Sequence, residues 1–186
     1  MKPVRSFLLG LCFTLCGLTS SAQYQNMFMQ ITDPGAPLGE VFETGHVGWT
    51  NFLAYNAGST SAVTLGGGGG GNVGMAATKC FTVSMNQDRM AHYLKRKMYT
   101  GTNIQRVTLD FIRVDGTGPG YMHYKVVMEN VYVTAIEEGD SGPIITMNIS
   151  FTPSRFRYTY TPRDGSGGTA NTPVSFGWDV VQNIAW

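Results

Sequence analysis

The chain has 186 residues, of which 42% are hydrophobic, 13% are charged and 24 are glycine, and its formal charge is +1. One ordinary domain fits that length, and the apolar fraction can bury a core, which excludes a charged disordered chain. Thirteen basic residues nearly cancel twelve acidic ones, so the basic field that nucleic-acid binding needs is missing, and glycines without a three-residue period exclude collagen.

Residues 1–22 read as a secretory signal. Lys2 and Arg5 supply its positive start, Phe7 to Leu18 its uncharged apolar stretch, and Ser20-Ser21-Ala22 the small residues before a cut at Gln23. The apolar stretch is too short to span a bilayer. Removing 22 of 186 residues leaves one domain of 164, residues 23–186, and no later stretch looks membrane-spanning. Cys12 and Cys16 leave with the signal, so Cys80 is the one remaining thiol and no internal disulfide can form. Cys80 is expected as a buried small hydrophobe, with an intermolecular bridge as the alternative. The address implies a periplasmic or extracellular bacterial protein.

Met27 to Ile31 predicts a strand, closed by the turn residues Asp33-Pro34-Gly35. Trp49 to Asn56 predicts another, with Phe52 and Ala54 on one face and Trp49, Leu53 and Tyr55 on the other. Gly58 to Gly74, with six glycines in a row at 66–71, predicts a long surface loop, because glycine loses most entropy on ordering and has no side chain to bury. Residues 84–100 predict one helix. Ser84 with Gln87 fits a capping box, Met90, Leu94 and Met98 form an apolar stripe, Lys95 to Lys97 favour the carboxyl end, and Gly101 stops it.

Strands dominate the remainder. Val107, Leu109 and Phe111 alternate with the polar Thr108 and Asp110. Met122 to Met128 alternate, and the phase slips near Asn130 before Val131 and Val133, suggesting a bulge. Ile145 to Phe151, Phe156 to Tyr160 and about 174–181 predict three more strands, with turns at Asp115-Gly116, Gly139-Asp140 and Asp164-Gly165. Roughly seven strands and one helix describe a mainly β chain, a small β-barrel or two-sheet sandwich with one added helix.

Gly139-Asp140-Ser141-Gly142-Pro143 resembles the nucleophile motif of chymotrypsin-like serine proteases, and His46, His92 and His123 all precede Ser141 as that order requires. Pro143 displaces the family's next glycine, no histidine has the expected small-residue setting, and turn chemistry explains the same residues. No phosphate-loop lysine follows the glycine run, and the three histidines and Cys80 lack metal-ligand spacing, so no cofactor or metal is implied. Asn148-Ile149-Ser150 is a sequon within a predicted strand. His46, beside turn glycines Gly45 and Gly48, suits a structural hydrogen bond, and His92 an exposed helix position. The residues themselves point to no catalytic site.

Phe156-Arg157-Tyr158-Thr159-Tyr160-Thr161-Pro162, followed by a glycine-rich turn and then Gly177-Trp178-Asp179 and Asn183, resembles the end of the Hcp family, the tube proteins of bacterial type VI secretion. Gly45-His46-Val47-Gly48-Trp49 leading into Phe52 to Tyr55 is similar to that family's early turn and strand. Gly66, Gly67, Gly68, Gly69, Gly70 and Gly71 with Asn72-Val73 resemble its glycine-rich loop, Phe81 to Ser84 its entry to the helix, and Val131 to Val133 its middle strand. The resemblance implies a two-sheet β-barrel that forms six-membered rings stacked head to tail into a hollow tube. It implies a sheath, a spike and luminal effectors as partners, and no enzyme activity. By resemblance Gly66 to Gly71 dock the neighbouring ring, and His46, Trp49, Tyr158, Tyr160, Pro162, Gly177, Trp178 and Asp179 are structural. Members usually lack a signal peptide, so residues 1–22 set this chain apart. Two other readings stay open: an exported monomeric β-domain that binds a partner, and a secreted serine hydrolase at Ser141.

Overall fold

The computed structural model describes residues 24–65, 71–114, 120–140, 142–162 and 172–186. The signal expected at 1–22, five of the six consecutive glycines, the turns expected at Asp115-Gly116 and Asp164-Gly165, and Ser141 lie outside the described residues. In chain order the elements are β1 (Tyr24–Thr32), β2 (Thr50–Asn51), β3 (Ala54–Asn56), β4 (Ser59–Leu65), β5 (Gly71–Thr78), β6 (Phe81–Asn86), α1 (Arg89–Thr100), β7 (Ile104–Val114), β8 (Tyr121–Asp140), β9 (Ile145–Tyr160), β10 (Val174–Asp179) and β11 (Ile184–Ala185). The mainly β fold with one helix is as expected.

One sheet runs β11-β10-β9-β8-β7-β1-β2, with β6 also on β9 and β3 on β6. All of its pairings are antiparallel. Residues 145–151 and 156–160, expected as separate strands, are one strand. The polar stretch between them stays extended because β8 pairs along the whole of it, with Val131 opposite Pro153. The phase slip near Asn130 is real: its φ is +49°, and buried positions move from Val126 and Met128 to Val131 and Val133.

Three expectations need correction. Trp49 to Asn56 is not one alternating strand. Phe52 donates its N–H to Met27 on β1 and Leu53 donates to Ser84 on β6, so the segment changes partners between them. Phe52 turns inward at 3% exposure and Leu53 outward at 53%. The helix starts at Arg89, not at Ser84, because residues 81–86 are claimed by β9, with Ser84 opposite Asn148. Asp88 caps it instead, its Oδ1 accepting from Met90 N at 2.8 Å and Ala91 N at 3.3 Å. Gly101, at φ +63°, ends it in the left-handed conformation as expected. The third correction concerns Gly58 to Gly74, which is not wholly loop. β4 and β5 form a two-stranded ribbon of their own, since backbone pairing needs no side chain. Gly74 fits there because a Cβ would stand 3.1 Å from the Ala62 carbonyl oxygen.

The main core joins Met90, Ala91, Tyr93 and Leu94 of α1 to Phe81, Met85, Leu109, Met128, Ile149 and Phe151 of the sheet. Such side chains stabilise by roughly 1.5–3 kcal/mol each when fully buried. A second cluster, Phe28, Val41 and Ile112 with Trp49 packed against it, lies on residues of β1 and β7 and the loop before β2. Asp110, a polar member of the β7 alternation, is only 5% exposed because the loop covers that face of β7. Cys80 is exposed, not buried, with Sγ 3.5 Å from Thr152 Oγ1.

The two candidate caps are separable by mutation. Asp88→Ala should cost about 1 kcal/mol of unfolding free energy, as loss of a helix cap does, whereas Ser84→Ala should cost about half or less. Urea denaturation of the two variants measures the difference.

Candidate functional site

Expected site residues fall at two places. The first is the loop before β2. Gly39 donates to the Gly48 carbonyl at 2.7 Å, and Val41 to the Trp49 carbonyl at 3.0 Å, so residues 39–49 fold back on themselves. The Trp49 carbonyl occupies the space a Cβ on Gly39 would need. His46 stacks on Phe28 with centroids 4.2 Å apart and planes 17° from parallel, and it meets the Trp49 ring edge-on at 4.8 Å. Its Nε2 is 3.3 Å from Asp110 Oδ2, and Lys125 Nζ is 3.4 Å from the other Asp110 oxygen. The tip of the fold-back carries Phe42, 89% exposed, with Leu38 and Val47 exposed beside it.

The second place is the β9–β10–β11 end of the sheet. Tyr158 stacks on Tyr124 at 5.9 Å and 15°, within reach of Phe156 and Phe81. Burial, then the neighbouring Tyr158, pushes the Tyr124 hydroxyl up to about 12, and burial raises Tyr55 and Tyr158 also. Tyr55 Oη is buried beside the Tyr158 hydroxyl. All three therefore stay neutral at ordinary pH and act as packing. Tyr160 is half exposed, and Pro162 follows the end of β9. Trp178 stacks on Phe176 at 6.4 Å, and Asp179 Oδ1 accepts from Gln182 N at 2.8 Å, closing the turn into β11. Gly177 has no room for a side chain because the Trp186 carbonyl sits where the Cβ would be. The Trp186 ring lies under the Arg155 and Arg157 guanidiniums at 4.5 and 4.4 Å. Gly71 opens β5, and Ser59, Ala76, Thr78, Phe156, Phe176 and Trp178 line an apolar cleft of about 180 Å³ between ribbon and sheet.

Sequence reasoning missed two features. One is the set of exposed apolar side chains at Phe42, Val181 (77%) and Leu38 (73%); each is a single residue in a loop or turn, with no periodicity to flag it. The other is Glu129 on β8, held by Arg106 Nη2 at 2.6 Å and Arg155 Nε at 2.7 Å. The three meet only through strand register, which pairs Glu129 with both arginines. Burial raises the Glu129 carboxyl, but hydrogen bonds from Arg106 and Arg155 outweigh it and hold it below its ordinary value. Asp33 behaves alike: burial raises it, and Lys97, Tyr93 and the Gln105 N–H together lower it further. Asp88 goes the other way, burial outweighing its bonds to Thr50, Met90 and Ala91. No group of three or more His, Cys, Asp or Glu among the described residues could hold a metal. His92 is exposed on α1, and His123 lies half-buried on β8.

Residues 28–160 match a family model described as type VI secretion system effector, Hcp. No curated protein matches the sequence. Among solved structures, one of a type six secretion system protein is 18% identical, with TM-score 0.78 over 88% of this chain and 100% of the other. Hcp1 from Salmonella typhimurium is 16% identical, with TM-score 0.67 over 87% and 99%. A type VI secretion system effector from Yersinia pestis is 17% identical, with TM-score 0.60 over 83% and 99%.

Glu129→Gln tests the three-residue cluster through pH. A depressed carboxyl adds stability above its unfolded pKa, and that stability is lost as pH falls through the folded value. The stability gap between the native chain and Glu129→Gln should thus be widest above about pH 5 and close as pH drops below about 4. A gap constant with pH in urea titrations contradicts it.

Proposed function

The chain belongs to the Hcp family and is a structural subunit of a type VI secretion tube; on that premise we propose which of its surfaces build the tube and how the chain is exported. Hcp proteins self-assemble into rings and tubes with other type VI components and are secreted by bacteria. In this reading, copies join head to tail as six-membered rings, the rings stack, and the lumen takes effectors, with sheath and spike as outer partners.

The observation that carries the reading is where apolar side chains remain in water. Phe42 and Val47 stand out from the fold-back loop, with Leu38 just before it, and Val174 (66%) and Phe176 (56%) stand out from β10, with Val181 (77%) in the turn beyond it. Exposed patches of this kind mark interaction surfaces. β10 pairs with β9 along its whole length, but with β11 only at Trp178 and Asp179, and Gly177 accepts from Trp186 N, so among the described residues Val174 to Phe176 have no second strand partner. Two unlike patches on one chain suit a head-to-tail contact, which closes into a ring when the rotation permits. His46 and Trp49 then serve by fixing the loop that presents Phe42. Tyr158, Tyr160, Pro162, Gly177, Trp178 and Asp179 serve by shaping the β10 edge.

The β4–β5 ribbon pairs with no strand of the main sheet. A two-stranded hairpin alone is marginal in water, so a neighbour that covers it would add stability. We assign it, together with the glycine run Gly66 to Gly71 between its strands in sequence, to contact with the next ring. Residues 1–22 serve as a cleaved export signal, and 23–186 form the tube domain.

Native mass spectrometry and negative-stain imaging of residues 23–186 should give ring-sized particles. Phe42→Asp or Val181→Asp should reduce them to smaller species without loss of the circular-dichroism signature. A native chain that stays monomeric at high concentration overturns the ring assignment. Amino-terminal sequencing of the protein recovered outside the cytoplasm should begin at Gln23, and an intact Met1 overturns the export reading.

A further inference from the structure

We propose that the cleft between α1 and the turn after β1 docks an acidic peptide segment of a partner protein. The proposal goes beyond the tube reading and does not rest on it. The cleft holds about 430 Å³ and is lined by Gly35, Pro37, Arg89, His92, Tyr93 and Arg96. That volume falls within the roughly 300–1,000 Å³ of ordinary ligand sites.

The charges around α1 are not equivalent. Lys95 is paired with Glu138, and Lys97 lies 2.6 Å from Asp33, so both are neutralised within the chain. The cations over the cleft are left differently. Arg96 has no carboxylate within ion-pair distance among the described residues, and its guanidinium lies 5.3 Å above the Tyr93 ring. Arg89 reaches only Glu40, at 3.4 Å, and both side chains are more than half exposed. Such a pair contributes little and exchanges readily. Two other carboxylates lie nearby: Asp33 is occupied by Lys97 and by the Tyr93 hydroxyl, and Asp88 by Thr50 and the N–H groups of Met90 and Ala91.

Arg89 also breaks a local rule. It opens α1, where the helix dipole disfavours a cation, and the first turn carries no acidic residue. An incoming carboxylate would relieve that repulsion and meet Arg96 as well. Arg89, His92 and Arg96 stand three and four residues apart, so they share one helix face over about 10 Å. Successive carboxylates of a peptide match that span, and each guanidinium can take one in bidentate fashion. Nucleic acid fits less well, because the chain is near neutral and the cations stop at one short face.

Isothermal titration of the full chain with a hexaglutamate peptide tests the assignment. Binding should weaken about tenfold or more between about 50 and about 300 mM salt. It should be lost in the double variant Arg89→Glu/Arg96→Glu and kept in Lys79→Glu, which changes an exposed cation outside the cleft. Should the charge reversal fail to fold, Arg89→Gln/Arg96→Gln replaces it and should weaken binding by a similar factor. Absent binding, binding unaffected by either double variant, or tighter binding of inorganic phosphate or a single-stranded oligonucleotide each overturns the proposal. Particle size measured on the same samples keeps this result separate from ring assembly.

Discussion

Seventeen of the twenty residues of β8 run beside the sixteen of β9, from Tyr124 opposite Tyr160 to Asp140 opposite Ile145. Strands usually stop after five or six residues, and a ladder of this length must twist and bend. Register shifts between Val133 and Ala135, and between Phe111 and Ile112 on the neighbouring ladder, take up the bend. The two halves of β9 then serve different neighbours. Its first half receives β6, which brings α1 with it, and its second half receives β10. The main core, the tyrosine stack and the β10 edge all take their positions from this one hairpin.

Where β9 passes between those neighbours, polar chemistry replaces ladder bonds. β6 ends at Phe81 opposite Phe151, and β10 begins its pairing at Asp179 opposite Arg155. On that side Ser154 meets only Val180, whose N–H it accepts at 2.8 Å, and among the described residues Thr152 and Pro153 have no ladder partner there, which is where a proline can sit in a long strand without cost. Glu129 stands across from Arg155 at the edge of this gap and ties it to Arg106 on β7. Three strands are thus joined by one carboxylate near the place where the sheet is least continuous.

What the sequence made legible was local. Alternation found β1, β7 and the inward residues of β8, and the Asn130 phase slip was readable because Val126, Met128, Val131 and Val133 disagree about parity. Gly101 was readable because its left-handed φ is a property of the residue itself. The failures were all decided at a distance. Ser84 looks like a helix cap until Asn148, sixty-four residues on, claims it for a strand. Asp110 alternates as a polar residue, and only the fold-back loop at 39–49 buries it. Of the residues singled out by resemblance, Tyr158 and Trp178 pack inward or sideways, whereas Phe42 and Val181, which no periodicity flags, carry large exposed apolar area.

The ladder of β1 has a consequence in time as well as in space. Apart from two rungs with β2, its only strand partner is β7, which begins at Ile104. Among the described residues β1 is the first strand to leave the ribosome, and it waits about eighty residues for the edge it is meant to cover, whereas only residues 141–144 separate β8 from β9 and the two can zip at once. Until β7 arrives, Phe28 and Met29 have only the two rungs with β2, and Ile31 has none. A chain made from its amino end thus carries a largely unpaired apolar strand through some two-fifths of its synthesis, and whatever holds it during that interval bears on whether the subunit folds before it meets its copies.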